Sequence, residues 1–445
     1  MEYQAYSRSN FRNIPQLAKL TNEQLFDIEV VSQVLPFKAN NFIVEHLIDW
    51  DAVHDDPIFT LTFPQRDMLL PDHYEQIAKL LRDGAEESAI ESAVLKIRQQ
   101  LNPHPAKQME HNIPYVNDEP LPGMQHKYQQ TVLFFPSQGQ TCHAYCTFCF
   151  RWPQFIGMSE LRFASKEIEL LIEYVRQHPE ITDILFTGGD SMIMSAKHLA
   201  EYIDPLLQAK LPNLRRIRIG TKSFTFWPFR YLSDDDSDEV INLFNRVRKA
   251  GLHLAIMAHF NHPRELSSPI VQDAIQRVRE TGAEIRTQSP LLKHINDDAE
   301  VWRELWDTQV DLGCIPYYMF VARDTGAQHY FSVPLVRAWE IFHDAYQNVS
   351  GLCRTVRGPS MSTNPGKVQV LGVTEINDQK VFELRFLQGR DPDWVHRPFF
   401  AEYDDQATWL NELKPAFGKK QFFFEQRLND YYRENLQMPT IFNYE

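Results

Sequence analysis

The chain of 445 residues contains only five cysteines. A number that is small and odd argues against a disulfide framework. No apolar run reaches the roughly 18 residues a membrane helix needs. Met1 to Asn10 is polar and has no signal-peptide core. A cytoplasmic location and no membrane partner are therefore expected. Positive charge is also short: 45 Lys and Arg face 59 Asp and Glu, a net charge of −14. Affinity for nucleic acid comes largely from Lys and Arg on phosphates, so the balance disfavours a nucleic-acid partner. There is no low-complexity tract and no repeat beyond a strand–helix period. What is present is an ordinary globular composition, 43% hydrophobic and 23% charged. The length suffices for a large core and more than one structural unit.

The few cysteines are concentrated. Cys142, Cys146 and Cys149 form C-x3-C-x2-C, and Cys314 and Cys353 lie far along the chain. Clustered thiolates suit a soft metal. A closed structural zinc site takes four ligands, and His143, adjacent to Cys142, is awkwardly placed to be the fourth. A 4Fe–4S cluster with one open iron fits the spacing better. Zinc and a chance grouping of buried thiols are the alternatives.

Three regions follow from the pattern. Residues 1–125 read as a helical N-terminal region and connector. Thr21 to Gln24 opens a helix, Glu75 to Gln100 is helical with a break at Asp83-Gly84, and 102–123 is a proline-rich connector. Residues 126–350 alternate strand and helix. The strands are Thr131–Phe135, Asp183–Phe186, Arg216–Ile219, Leu252–Met257, Glu284–Gln288 and Ile315–Val321. The helices follow Ser165, residue 195, Asp234, residue 268, Asn296 and Pro334. Six such units predict an α/β fold, a parallel sheet forming an open partial (β/α)6 barrel. Its chemistry belongs at the C-terminal ends of the strands. Residues 351–445 read as an α+β extension. Leu352–Val356, Val368–Val373 and Lys380–Phe386 are β-rich, with a turn at Asn377-Asp378. The aromatic tail is expected to pack on the barrel or on a second subunit.

The cysteine motif, with Phe148 before the last Cys, resembles the signature of radical S-adenosylmethionine (SAM) enzymes. Further segments narrow the resemblance to the lysine 2,3-aminomutase family. They are Pro122 to Tyr128, Thr187-Gly188-Gly189-Asp190, Arg218 to Thr221, His259 to Pro263, Thr287 to Leu292, Asn296-Asp297 and Pro316 to Tyr318. The resemblance implies that Cys142, Cys146 and Cys149 hold the cluster and that its open iron binds SAM. An electron from a donor such as flavodoxin or ferredoxin then generates a 5′-deoxyadenosyl radical. It also implies pyridoxal phosphate (PLP) and a shift of an amino group from the α to the β carbon, an isomerase reaction. Gly188, Gly189, Asp190 and Gln288 match cofactor-contacting positions. Lys127 and Tyr128 match the PLP phosphate and ring positions, and Lys367 the lysine bonded covalently to PLP. A homo-oligomer is expected.

Arg151 matches the residue that grips the substrate carboxylate. Arg323 and Arg357 fall where the lysine enzymes place aspartates, although a gap placed differently brings Asp324 or Ser360 there instead. The expected substrate is thus an amino acid other than lysine, with an acidic side chain the first choice. A radical SAM enzyme without PLP and a non-catalytic Fe–S protein are the other readings.

Overall fold

A computed structural model describes residues 1–103, 112–117, 119–156 and 164–435. Parts of the proline-rich connector and of the tail lie outside them. The N-terminal helices form where expected. Helix α1 (Asn22–Val34) opens on a capping box, in which Thr21 Oγ1 accepts from Gln24 N and Gln24 Oε1 accepts from Thr21 N. Helices α2 (Pro71–Arg82) and α3 (Glu87–Gln100) are separated at Gly84, whose φ of 63° favours glycine.

The centre is one 11-stranded sheet whose spatial order follows the chain. The strands are β1 (Met124–Tyr128), β2 (Thr131–Phe134), β3 (Asp183–Phe186), β4 (Arg216–Thr221), β5 (His253–His259), β6 (Glu284–Leu291), β7 (Ile315–Val321), β8 (Arg357–Ser362), β9 (Gly366–Ile376), β10 (Gln379–Gly389) and β11 (Pro398–Glu402). Pairing is parallel from β2 to β8 and antiparallel at both ends. Helices α4 (Ile168–Gln177), α5 (Ala196–Ala209), α6 (Ser237–Lys249), α7 (Pro269–Glu280), α8 (Ala299–Asp311) and α9 (Leu335–Gln347) follow β2 to β7 in turn.

Alternation explains the layers. In β4, Ile217 and Ile219 are fully buried, whereas Arg218 and Gly220 point the other way and are half-buried. Helix α6 buries Val240, Leu243, Phe244 and Val247 completely, on the order of 1.5–3 kcal/mol each. Basic residues fill its last turn, and Gly251 at φ 83° ends it. The sheet curls. Lys127 on β1 donates to Thr363 O just beyond β8, although the two strands are far apart in sheet order. That contact closes a lumen lined by the inward positions of the strands.

Several expectations need correction. The parallel run has a seventh strand, β8, and β9 to β11 continue the same sheet, so the region expected to begin at 351 is built onto the barrel edge. Leu352–Val356 is a turn, because the Arg354 guanidinium folds back onto Val349 O and Gln347 O. Ser165 does not cap α4. It bridges to Pro136, and its Oγ accepts from Glu167 N. The Asn296-Asp297-Asp298 run does open α8, with Asp298 as its cap. The tail aromatics pack on the C-terminal part of the sheet: Phe422 and Phe424 stack at 5.5 Å, and Phe424 meets Phe386 at 5.1 Å. No helix among the described residues is long and apolar enough to cross a membrane.

Candidate active site

The cysteine loop leaves β2 and is gripped from two sides. On the barrel side lies the Gly188-Gly189-Asp190 turn after β3. A Cβ on Gly189 would sit 2.3 Å from Thr141 O, and one on Gly188 would sit 2.2 Å from Gln140 Nε2. Asp190 N donates to Thr141 O at 2.7 Å. The loop backbone therefore requires a glycine at 189, and the φ of 142° favours one at 188. On the N-terminal side, Lys38 Nζ donates to Cys142 O at 2.7 Å, and Tyr145 N donates to Lys38 O at 2.7 Å. Tyr3 OH donates to His143 O at 2.6 Å, Asn40 Nδ2 to the same oxygen at 3.3 Å, and Thr147 N to Leu61 O at 3.0 Å.

Cys142, Cys146 and Cys149 are half-buried free thiols. Burial raises the pKa of each; the neighbouring thiolates add to this for Cys142 and Cys146. His143 turns away from them, with its Nδ1 3.1 Å from Ser223 Oγ, and burial holds it neutral with a pKa of about 3. Among the described residues no three His, Cys, Asp or Glu groups stand close enough to hold a single metal ion. A cuboidal cluster asks for something different, since its thiolates bind separate irons, and three thiols on one clamped loop fit that donor set.

Beneath the loop lies a buried polar network. Both Asp190 oxygens are engaged: Oδ1 accepts from Thr221 Oγ1 at 2.7 Å and Met192 N at 2.9 Å, and Oδ2 from Lys222 N at 2.7 Å and Ser223 Oγ at 3.1 Å. Asp190 thus braces β3 to β4 rather than offering a free carboxylate. Lys222 Nζ pairs with fully buried Glu265 at 2.5 Å and donates to Asn261 Oδ1 at 2.9 Å. Asn261 Nδ2 reaches Ser289 Oγ at 2.9 Å, and Asn296 Nδ2 reaches Asn261 O at 2.9 Å. The HFNH and Asn-Asp segments are in this way joined across the ends of β4, β5 and β6. Gln288 stands in register with His259 on one side and Tyr318 on the other.

The lumen is different: its cations outnumber its carboxylates, with Asp324 in the field of Arg323 and Asp183 beside Arg218. Lys367 on β9 puts Nζ 3.9 Å from the Tyr318 ring and 5.2 Å from Phe320. Burial, then Arg357 and Arg218, lower its pKa to about 7. Arg357 lies over Tyr317 at 4.2 Å and Tyr318 at 4.6 Å. Lys127, beside Tyr128 at 5.4 Å, has its pKa pushed well down by burial and by Arg390, Arg323 and Lys367. Arg151 sits 4.4 Å over Phe135 and 5.0 Å over Phe150, with its pKa lowered to about 10, mainly by burial. Arg323 meets the same Phe150 ring at 5.2 Å. Its Nε and Nη2 are buried without a hydrogen-bond partner, as is Asp324 Oδ1, so no hydrogen bond joins these atoms. Arg218 is the exception, paired with Asp183.

Of the expected substrate arginines, Arg151 and Arg323 come together around Phe150, whereas Arg357 groups with Lys367. Lys127 lies in the field of both Arg323 and Lys367, and so stands between the two groups. Lys38, Asn40, Lys222, Glu265 and Arg390 had no expected role, and Arg218 stood only within the Arg218–Thr221 segment. Arg218 had a visible signal, a charge between two isoleucines in a buried strand; Lys38 had none.

Comparison with known proteins adds a measure of likeness. The chain is 30% identical over 396 residues to a "Putative L-lysine 2,3-aminomutase" of Aquifex aeolicus, covering 89% of this chain and 92% of that one. It is 30% identical over 236 residues to the L-lysine 2,3-aminomutase of Clostridium subterminale, 53% of each. Among solved structures, a radical SAM methyltransferase from Sphaerobacter thermophilus aligns over 65% of this chain and 93% of that one, at 13% identity and a TM-score of 0.37. No family model matches.

Proposed function

This chain belongs to the lysine 2,3-aminomutase family of radical SAM enzymes, and from that premise we propose a PLP-dependent aminomutase acting on an amino acid other than lysine. The observation that carries the proposal is the gathering of Lys127, Lys367, Arg323 and Arg357 in the lumen, none of them within ion-pair distance of a carboxylate among the described residues. Cys142, Cys146 and Cys149 hold the 4Fe–4S cluster, which with SAM supplies a 5′-deoxyadenosyl radical. PLP, when bound, supplies the group through which nitrogen can migrate between neighbouring carbons.

The residues of the chain suit these tasks. Lys127, with Arg390 behind it, offers a phosphate dianion two cations, and the Tyr128 ring lies alongside. Lys367 has a pKa of about 7 and so presents a large neutral fraction near neutrality, which a covalent bond to PLP requires. Arg151 and Arg323 flank Phe150 and hold the substrate carboxylate between planar guanidiniums; Arg323 contributes N–H groups that nothing else occupies. Gly188, Gly189 and Asp190 keep the cysteine loop in position for SAM, and Gln288 lies in the same row of strand ends.

Arg357, close to Lys367, disfavours a cationic side chain. Two like charges about 4 Å apart repel by about 4 kcal/mol at an effective dielectric near 20. The substrate's side chain is therefore acidic or neutral. A cytoplasmic location, a homo-oligomer and an external flavodoxin- or ferredoxin-type donor complete the proposal.

The test is anaerobic reconstitution with iron, sulfide, SAM and PLP, followed by borohydride reduction and peptide mapping. Labelling at Lys367, with 5′-deoxyadenosine formed only when PLP and an amino acid are both present, is the expected result. Labelling at another lysine, or amino-acid turnover that is indifferent to PLP, would overturn the proposal.

A further inference from the structure

Each cysteine of the loop has a cation in its field: Lys38 near Cys142, Lys222 near Cys146 and Arg151 near Cys149. The three differ in what else they meet. Lys222 is neutralised by Glu265 at 2.5 Å. Arg151 stands in the lumen beside Arg323, where a substrate carboxylate would neutralise it. Lys38 belongs to neither set. It lies on the short strand Lys38–Asn40, paired with Ala5–Ser7 outside the barrel sheet. Its Nζ donates to Cys142 O at 2.7 Å and lies 5.9 Å from the Tyr3 ring and 5.8 Å from the Tyr145 ring. No carboxylate among the described residues lies within ion-pair distance of it, and its backbone oxygen is pinned by Tyr145 N. Asp190, the carboxylate nearest in effect to Cys142, is held on the barrel side by its own four donors.

We propose that Lys38 is the fixed counter-charge of the cluster, a positioning residue that sets the reduction potential through the Cys142 corner. The inference rests on Cys142, Cys146 and Cys149 being the cluster ligands. A cluster with three thiolates gains one unit of negative charge when it takes one electron from an external donor. A nearby unpaired ammonium favours that reduced state, because net charge and hydrogen bonding around the sulfurs tune Fe–S potentials. Pairing Lys38 with a carboxylate would cancel the effect, and none among the described residues lies within ion-pair distance of it. The N-terminal region therefore contributes an electrical term to a site otherwise built by the barrel.

The experiment is a mediated redox titration of the anaerobically reconstituted full chain, followed by the electron paramagnetic resonance signal of the reduced cluster. Lys38→Gln keeps a hydrogen-bond donor and removes the charge; Lys38→Arg keeps the charge. Lys38→Gln should disfavour reduction about tenfold, or about 59 mV for one electron, with iron content unchanged. Lys38→Arg should titrate close to wild type. An unchanged potential in Lys38→Gln would reduce Lys38 to a loop clamp and overturn the inference. So would a Lys38→Gln chain that takes up no iron while Lys38→Arg does, since the charge would then serve assembly. A wild-type chain that binds no iron would instead overturn the cluster reading on which the inference rests.

Discussion

Lys222 and Lys367 are both lysines withdrawn from solvent in the same barrel, yet their surroundings are opposite. Lys222 is surrounded by acceptors: Glu265 at 2.5 Å, Asn261 Oδ1 at 2.9 Å and His259 O at 3.2 Å. Lys367 meets two aromatic faces and, electrostatically, two arginines. The first belongs to a rim that the protein completes by itself. The second belongs to a lumen that the protein leaves incomplete, with Arg323 N–H groups buried and unmatched. An unpaired buried charge is costly. The pairing of one lysine and the crowding of the other is the contrast on which the proposed ligand role of Lys367 rests.

The largest expected effect separates the two regions outright. Lys367→Ala should lose the borohydride-reducible PLP adduct and all amino-acid turnover while unfolding in urea no earlier than wild type, because an unpaired cation has been removed. A clear loss of stability would place Lys367 in the structural set. Next comes the rim. Glu265→Gln strands Lys222 in the interior and should lower stability by about 3–5 kcal/mol in urea melts of the cofactor-free chain. A melt within error of wild type would mean that the network is not what joins β4 to β5.

Arg323→Gln should leave folding and iron uptake alone and raise KM by roughly tenfold to a hundredfold, the loss of one or two charge-assisted hydrogen bonds. An unchanged KM would remove Arg323 from the carboxylate site. The smallest effect is on pH. The Lys367 pKa is about 7 in the folded chain, below the value of about 10.4 for an unfolded lysine. The unfolded state therefore binds more protons between these values. The strain from charged Lys367 is fully present below pH about 7 and is relieved as pH rises toward that of free lysine. The rate of PLP attachment, followed by absorbance, should rise through pH about 7, and Arg357→Ala should move that midpoint upward. A midpoint near that of free lysine would contradict the crowding of cations around it.

Much of the barrel was legible in the chain. Strand β7 is Ile315–Val321 and β3 is Asp183–Phe186, as the alternation predicts, and Asn377 and Asp378 form the hairpin turn with φ of 52° and 59°. Local signals failed where a residue serves a distant partner. Of the Asn296-Asp297-Asp298 run only Asp298 caps the helix, while Asn296 spends its amide on Leu292 N, Asn261 O and Pro290 O. Ser165 resembles a cap but pairs with Pro136. Strand β8, with Gly358 and Pro359 in its interior, carries a weak strand pattern and forms because β7 and β9 supply edges for it. The site was half legible: the cysteines and Lys367 stood out by spacing and resemblance. The Lys38 contact to Cys142 spans 104 residues of sequence, and no pattern in either segment announces it.

The central claim is that the lumen is reserved for an anionic cofactor and a substrate without a cationic side chain. Deuterium transfer tests it most directly. The reconstituted enzyme with SAM and PLP is given side-chain-deuterated aspartate, glutamate, alanine and lysine in separate reactions, and 5′-deoxyadenosine is analysed for label by mass spectrometry. The account predicts label from an acidic or neutral amino acid and none from lysine. Label from lysine alone would contradict it.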